Sequence, residues 1–120
     1  MSWELDSKRP IYEQLAERIR ERIVTGAYPG GERLPSVRDL AQEAGVNPNT
    51  MQRALTELER AGVLFSQRTS GRYVTEDEAM IRQMKEEAAK ETIEEFLEKM
   101  RALGISTEEV IEMLGKEAAQ

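Results

Sequence analysis

Ser36-Val37-Arg38-Asp39-Leu40-Ala41-Gln42-Glu43-Ala44-Gly45-Val46-Asn47-Pro48-Asn49-Thr50-Met51-Gln52-Arg53-Ala54-Leu55 is the stretch that decides the fold. Ser36 with Asp39 three residues on has the pattern of a capping box, and Val37, Leu40, Ala41 and Ala44 supply the apolar side of a short helix. Gly45 closes that helix, and only Val46 separates the stop from the next start. There Asn47 is a strong N-cap and Pro48 suits the first helical position. Met51, Ala54, Leu55 and Leu58 then line one side of a second helix, which Gly62 ends. So short a connection forces the two helices to cross steeply, which is the geometry of a helix-turn-helix.

Working outward, Ile11, Leu15, Ile19 and Ile23 recur every fourth residue after Pro10, with Ala16 and Val24 beside them. They predict a first helix beginning at Pro10, with Glu17, Arg18, Arg20, Glu21 and Arg22 on its wet side and Gly26 as its stop. Trp3 and Leu5 form an extended lead that packs on the body or on a partner, and Tyr28-Pro29-Gly30-Gly31 is a turn. On the other side the period changes. Val63-Leu64-Phe65 and Tyr73-Val74 are short strand candidates, separated by Ser66–Arg72. They predict a hairpin with a polar tip, braced on the helices through Leu64 and Tyr73, because two strands alone are marginal. Helix, helix, helix, hairpin is the order of a winged helix. The expected class is mainly α, an α+β winged helix-turn-helix over residues 1–75, followed by a two-helix tail over 76–120.

In the tail, Thr75 with Glu78 has a second capping-box pattern and opens a helix to about Leu103. Met80 or Ile81, Met84, Ala88, Ile93, Phe96, Leu97, Met100 and Leu103 mark its apolar side. Glu86–Lys90 and Glu95–Lys99 are i,i+4 pairs contributing only about 0.2–0.5 kcal/mol each. After Gly104, Ser106 with Glu109 opens a last helix carrying Val110, Ile111 and Leu114, closed by Gly115. One long and one short helix cannot bury such a stripe unaided. The tail is therefore expected to pair two copies in an isologous homodimer, with Met84, Ile93, Phe96, Leu97, Met100, Val110 and Leu114 at the contact.

Composition narrows the function. The 120 residues include neither Cys nor His, which removes the usual zinc sites and the common nucleophile–base pairs, so no catalytic role and no cofactor is expected. No apolar run approaches the roughly 20 residues of a membrane span, and no secretory leader stands at the N-terminus, so a cytoplasmic protein without a membrane partner is expected. The net charge of −6 argues at first against nucleic acid, but it is unevenly distributed. Residues 1–75 carry 11 Lys+Arg and 10 Asp+Glu, a net of +1; residues 76–120 carry 6 and 13, a net of −7. Phosphate responds to the local field, so an acidic tail held away from DNA is tolerable.

The run Gly31–Ala41, the run Val46–Met51, Gly71 in a basic hairpin, and Pro10-Ile11-Tyr12-Glu13-Gln14-Leu15 together closely resemble the head of GntR-family bacterial regulators. The resemblance spans about residues 8–75. The 45-residue tail is too short for the large effector domains of most branches and is similar to that of the short-tailed YtrA-type subgroup, which implies a dimer without a separate ligand domain. The resemblance also implies roles: Arg38 contacts DNA at the second helix, Asn47, Asn49 and Thr50 lie where the recognition helix meets DNA, and Gly71 is the wing-tip glycine. Other branches carry Arg at the positions of Pro48 and Gln52, so their operator sequence does not carry over.

The residues support these roles independently. Asn and Gln can read adenine in a bidentate way and Arg can read guanine, so Asn47, Pro48, Asn49, Thr50, Gln52 and Arg53 make a recognition edge. Asn47 is also a cap, whatever else it does. Arg33, Ser36 and Arg38 flank a capped helix start, where backbone N–H groups attract phosphate, although surface ion pairs with Glu32 or Asp39 would account for the two arginines as well. Arg68, Ser70, Gly71 and Arg72 give the hairpin tip two cations and no acid, suited to backbone or minor-groove contact. The expected partner is double-stranded operator DNA. Rotating or separating the tails would alter half-site spacing, a route to control by a small-molecule effector that no residue set identifies. The competing class is a protein-interaction adaptor, since winged helices serve in that role too.

Overall fold

The computed structural model describes residues 3–67 and 70–120. Its elements are α1 (Ile11–Val24), α2 (Val37–Ala44), α3 (Pro48–Arg60), β1 (Leu64–Gln67), β2 (Gly71–Val74), α4 (Glu78–Ala102) and α5 (Thr107–Ala118). The chain divides into two compact units, Met1–Met84 and Lys85–Gln120; α4 begins in the first and continues into the second.

In the first unit α3 is the hub, packed against α1, α2 and β1. The helical spacings foreseen in the sequence deliver Leu15 and Ile19 from α1, Leu40 and Ala41 from α2, and Met51, Ala54, Leu55 and Leu58 from α3 into one fully buried cluster. The tight connection is made by Gly45, whose φ of 71° lets the Val46 N–H reach back to the Ala41 carbonyl at 2.9 Å and the Gly45 N–H to that of Gln42. This Schellman closure satisfies the last carbonyls of α2 while turning the chain directly into the next cap.

Several local expectations for the first unit are corrected. Pro10 is not the first helical residue but the cap position, with ψ of 133°, because the backbone before the helix is committed to Gln14. That buried amide accepts from the Asp6 N–H at 2.9 Å and donates to the carbonyls of Asp6 and Arg9 at 2.8 and 2.9 Å. Arg22 belongs to the interior rather than to the wet side of α1. Its guanidinium lies 4.2 Å from the Trp3 ring centroid and donates to Tyr28 Oη at 2.7 Å and Glu43 Oε1 at 3.0 Å. Burial works against its charge, but these acceptors outweigh burial and raise its pKa. The N-terminal lead is thereby pinned to the body, with Trp3 in the core.

The hairpin is longer than the apolar residues alone predict. Leu64 pairs with Val74, Phe65 with Tyr73, Ser66 with Arg72 and Gln67 with Gly71, so the connection shrinks to residues 68–70. Polar side chains on an exposed ladder cost nothing, and the backbone pairs through them. Tyr73 does not brace the hairpin on the helices. Alternation sends Leu64 and Val74 inward, while Tyr73 stacks on Phe65 on the other side, ring centroids 5.7 Å apart. A third extended segment goes unforeseen: Gly31, Leu34 and Val74 donate N–H groups to Val74, Arg72 and Glu32 carbonyls at 2.9 Å each, bridging Arg33 to Tyr73.

At the start of α4 the cap is Asp77, not Thr75. Asp77 Oδ1 accepts from the N–H groups of Ala79 and Met80 at 3.0 and 3.2 Å, and Thr75 Oγ1 accepts from Asp77 at 3.1 Å. Met80, Ile81 and Met84 pack against the core of the first unit, which runs to Met84. In the second unit the Ser106–Glu109 capping box forms as the sequence predicts. Gly115 does not close α5, which runs through it in ordinary helical conformation to Ala118. Val110 is buried, whereas Ile93, Phe96, Leu103, Ile111, Met113 and Leu114 stay exposed.

Candidate nucleic-acid interface

The exposed start of α3 is built by its cap. Asn47 holds φ −64°, ψ 135°, and its Oδ1 accepts from the Asn49 N–H at 2.7 Å, while its carbonyl accepts from Thr50 and Met51 at 3.0 and 3.1 Å. Pro48 follows at the first position, where no N–H is needed. Because Met51, Ala54, Leu55 and Leu58 face the core, the 3.6-residue period leaves Asn47, Pro48, Asn49, Gln52 and Arg53 exposed and Thr50 half-buried. These short polar side chains share the first two turns of one helix, with nothing apolar among them large enough to demand cover.

Arg53 is not merely solvated. Its guanidinium carbon lies 3.8 Å from the centroid of the Tyr12 ring on α1. Such a contact orients the group without neutralising it. At the start of α2, Ser36 Oγ accepts from the Asp39 N–H at 3.1 Å, and Arg38 is exposed with no ion pair among the described residues. The surface pairings with Glu32 or Asp39 that could have explained Arg38 are not formed.

The wing differs more from its sequence-based picture. Arg68 lies outside the described residues. Ser70 closes the turn, its N–H donating to the Gln67 carbonyl at 2.9 Å. Gly71 opens β2 at φ +100°, and a Cβ there would stand 3.1 Å from Nε of Arg33, whose guanidinium lies across the glycine. Arg33 thus belongs with the wing as much as with α2. Arg72, expected as an unanswered cation, is ion-paired with Glu59 of α3, which also accepts from Ser66 Oγ at 2.9 Å. Glu59 is a residue the sequence did not single out; nothing in its spacing links it to a hairpin several residues on, and only the packing of α3 on β1 brings it there. Tyr12 escaped for the same reason, since its helix was assigned and its neighbour in space lies 41 residues away.

A helix-turn-helix with a polar, partly cationic recognition edge and an adjoining β-wing defines a DNA-binding winged-helix head. The comparisons agree. Residues 11–74 match the family model of "Bacterial regulatory proteins, gntR family". The chain is 37% identical over 112 residues to the uncharacterized HTH-type transcriptional regulator YhcF of Bacillus subtilis, covering 93% of each. It is 42% identical over 71 residues to the HTH-type transcriptional repressor YtrA of the same organism, covering 59% of this chain and 55% of that one. Among solved structures, a GntR family transcriptional regulator from Listeria monocytogenes superposes with a TM-score of 0.81 at 42% identity, covering 93% of this chain and 98% of that one. The chain belongs to the GntR family of bacterial transcriptional regulators, and it is a DNA-binding regulator rather than an enzyme. Among the described residues no helix is long and apolar enough to cross a membrane.

Proposed function

We propose that the protein is a sequence-specific repressor, acting in the bacterial cytoplasm, that binds a near-palindromic operator as a homodimer. The observation carrying this is the first two turns of α3, where Asn47, Asn49, Thr50, Gln52 and Arg53 line one capped, accessible edge with adenine- and guanine-reading chemistry. Arg38, unpaired by any carboxylate among the described residues, anchors a phosphate beside the start of α2, with Ser36 at its cap. Arg33, lying against Gly71, offers a cation at the base of the wing, and Ser70 stands beside it in the chain. Arg72 serves the wing through Glu59 rather than the DNA directly.

Support for a dimer comes from the second unit. Ile93 is 56% exposed, Phe96 40%, Leu103 73% and Leu114 53%, an apolar load that a lone tail leaves in water. Leu97 and Met100, half-buried on α4, complete that stripe, whereas Val110 is buried within the chain itself. A two-fold pairing places two heads on half-sites about one helical turn, roughly 34–36 Å, apart. A small-molecule effector would act by changing that spacing.

The test is selection of bound duplexes from a random pool at near-physiological salt, followed by salt titration of the best binder. An enriched palindrome whose affinity falls steeply with salt supports the proposal. Arg38→Ala is expected to weaken every site several-fold and to reduce the salt slope by about one phosphate contact. A pool without enrichment would mean that the head is an adaptor or needs a ligand in order to bind.

A further inference from the structure

Two arginines of the head are held by opposite chemistries. Arg72 is held by a carboxylate, that of Glu59, which cancels its charge. Arg53 is held by an aromatic face, with the Tyr12 ring centroid 3.8 Å from its guanidinium carbon, and forms no ion pair among the described residues. A guanidinium stacked on a ring has one of its faces covered, while its N–H edge and full charge stay available. Arg53 is exposed and stands in the second turn of α3, one residue after Gln52 on the same accessible edge. Tyr12 is half-buried, part of α1, and packed against the core, so it is itself a fixed platform. An arginine side chain with several rotatable bonds pays much of its recognition energy in ordering, and a platform that orders it in advance reduces that loss.

We infer that Tyr12 is a positioning residue for base reading: by stacking beneath Arg53 it presents the guanidinium edge in one orientation, making Arg53 the determinant of a guanine at one position of each half-site. The inference rests on the proposed function, since it assumes that the α3 edge faces bases. The chemistry selects guanine because its O6 and N7 accept two parallel N–H bonds from a guanidinium, whereas adenine presents a donor at the corresponding place. The same chemistry predicts that lysine cannot replace Arg53, since an ammonium keeps the charge but lacks the planar fork.

The full chain and three variants, Arg53→Ala, Tyr12→Leu and Tyr12→Phe, are each taken through selection from the same random duplex pool, and the recovered preferences are compared position by position. Arg53→Ala is expected to lose the guanine preference at one position per half-site, a discrimination of roughly five- to a hundredfold. Tyr12→Leu keeps the apolar bulk but removes the ring, and is expected to reduce that same preference roughly two- to fivefold while other positions keep theirs. Tyr12→Phe retains a stacking face and is expected to restore it. If Tyr12→Leu lowers affinity evenly at all positions, or leaves the guanine preference intact while Arg53→Ala abolishes it, Tyr12 is structural only and the inference fails by itself. If the unsubstituted chain enriches no sequence, the proposed function fails and takes this inference with it. The stack is also readable without substitution: ring-current displacement of the Arg53 side-chain proton resonances is expected, and its absence would overturn the inference even if Tyr12→Leu did not fold.

Discussion

The head and the tail are both helical and similar in apolar content along their helices, yet they use their apolar residues oppositely. In the head, Leu15, Ile19, Leu40, Met51, Leu55 and Leu58 come from three helices that cross one another, and none retains more than 1% exposure. In the tail, α4 beyond Met84 and α5 bury Val110 and leave Phe96, Ile93 and Leu114 exposed. The difference is one of topology. Three short helices that cross one another enclose a volume, whereas one long helix and one short one have too few faces to close around anything. An apolar stripe therefore means a core where neighbours converge, and calls for a partner where they do not.

The sharpest way to break this contrast is to charge the tail. Phe96→Asp is expected to weaken dimerisation by at least about thirtyfold, as for a truncated interface anchor, while leaving the far-ultraviolet spectrum of the head unaltered. Sedimentation velocity checks it, and an intact dimer would mean that the exposed stripe has another purpose. The matched experiment in the head is Leu58→Ala. That side chain is fully buried in the last turn of α3, so about 2–5 kcal/mol of unfolding free energy is expected to be lost in urea titration. Leu114→Ala, at a half-exposed position of α5, is expected to leave the unfolding of a diluted monomer nearly unchanged. Equal losses at the two sites would erase the distinction.

A smaller effect sharpens the account of how the head supports its wing. Gly71→Ala places a Cβ at φ +100° and 3.1 Å from Arg33 Nε, so about 1–3 kcal/mol of local strain is expected. Hydrogen exchange at β1 and β2 should quicken while α1 and α3 remain protected. The smallest effect concerns the lead. Arg9 hydrogen-bonds both oxygens of Glu17 at 2.8 and 2.9 Å and holds that carboxyl below the usual carboxylate range. A depressed folded pKa contributes stability above the unfolded value of 4.5, and that contribution fades as pH falls through the lower folded value. The pair is exposed and screened, so wild type and Glu17→Gln should differ slightly near neutrality and converge in acid, followed by the fluorescence of Trp3.

The predictions concern places that were unequally visible in the sequence. The helix-turn-helix was legible because its signals are local: Ser36, Gly45, Asn47 and Pro48 act within four residues of themselves through hydrogen bonds that any chain of this sequence can make. The exposed polar edge of α3 was legible for the same reason, since the core positions of α3 dictate by period which side chains remain outside. Where two local signals competed, the sequence misplaced the boundary. Thr75 and Asp77 both suit a cap, and only the burial of Thr75 against the head leaves Asp77 to start α4. Gly115 resembles a stop, but a glycine followed by Lys116, Glu117 and Ala118 can continue a helix at modest cost.

By itself, then, the sequence determined the identity and order of the helices, the existence of the wing, the exposed polar edge of α3 and the excess of apolar surface in the tail. These follow from periodicity and capping, whose range is a turn or two of chain. Tertiary structure alone decided that Arg22 would be an interior cation, that residues 31–34 would pair with β2, that Glu59 would claim Arg72, and that Tyr12 would lie beneath Arg53. Each of these joins residues distant in sequence through contacts a few ångströms long. A charge or a ring carries no mark in the sequence of the neighbour it will meet; only the crossing of α1 on α3, and of α3 on the hairpin, assigns it one.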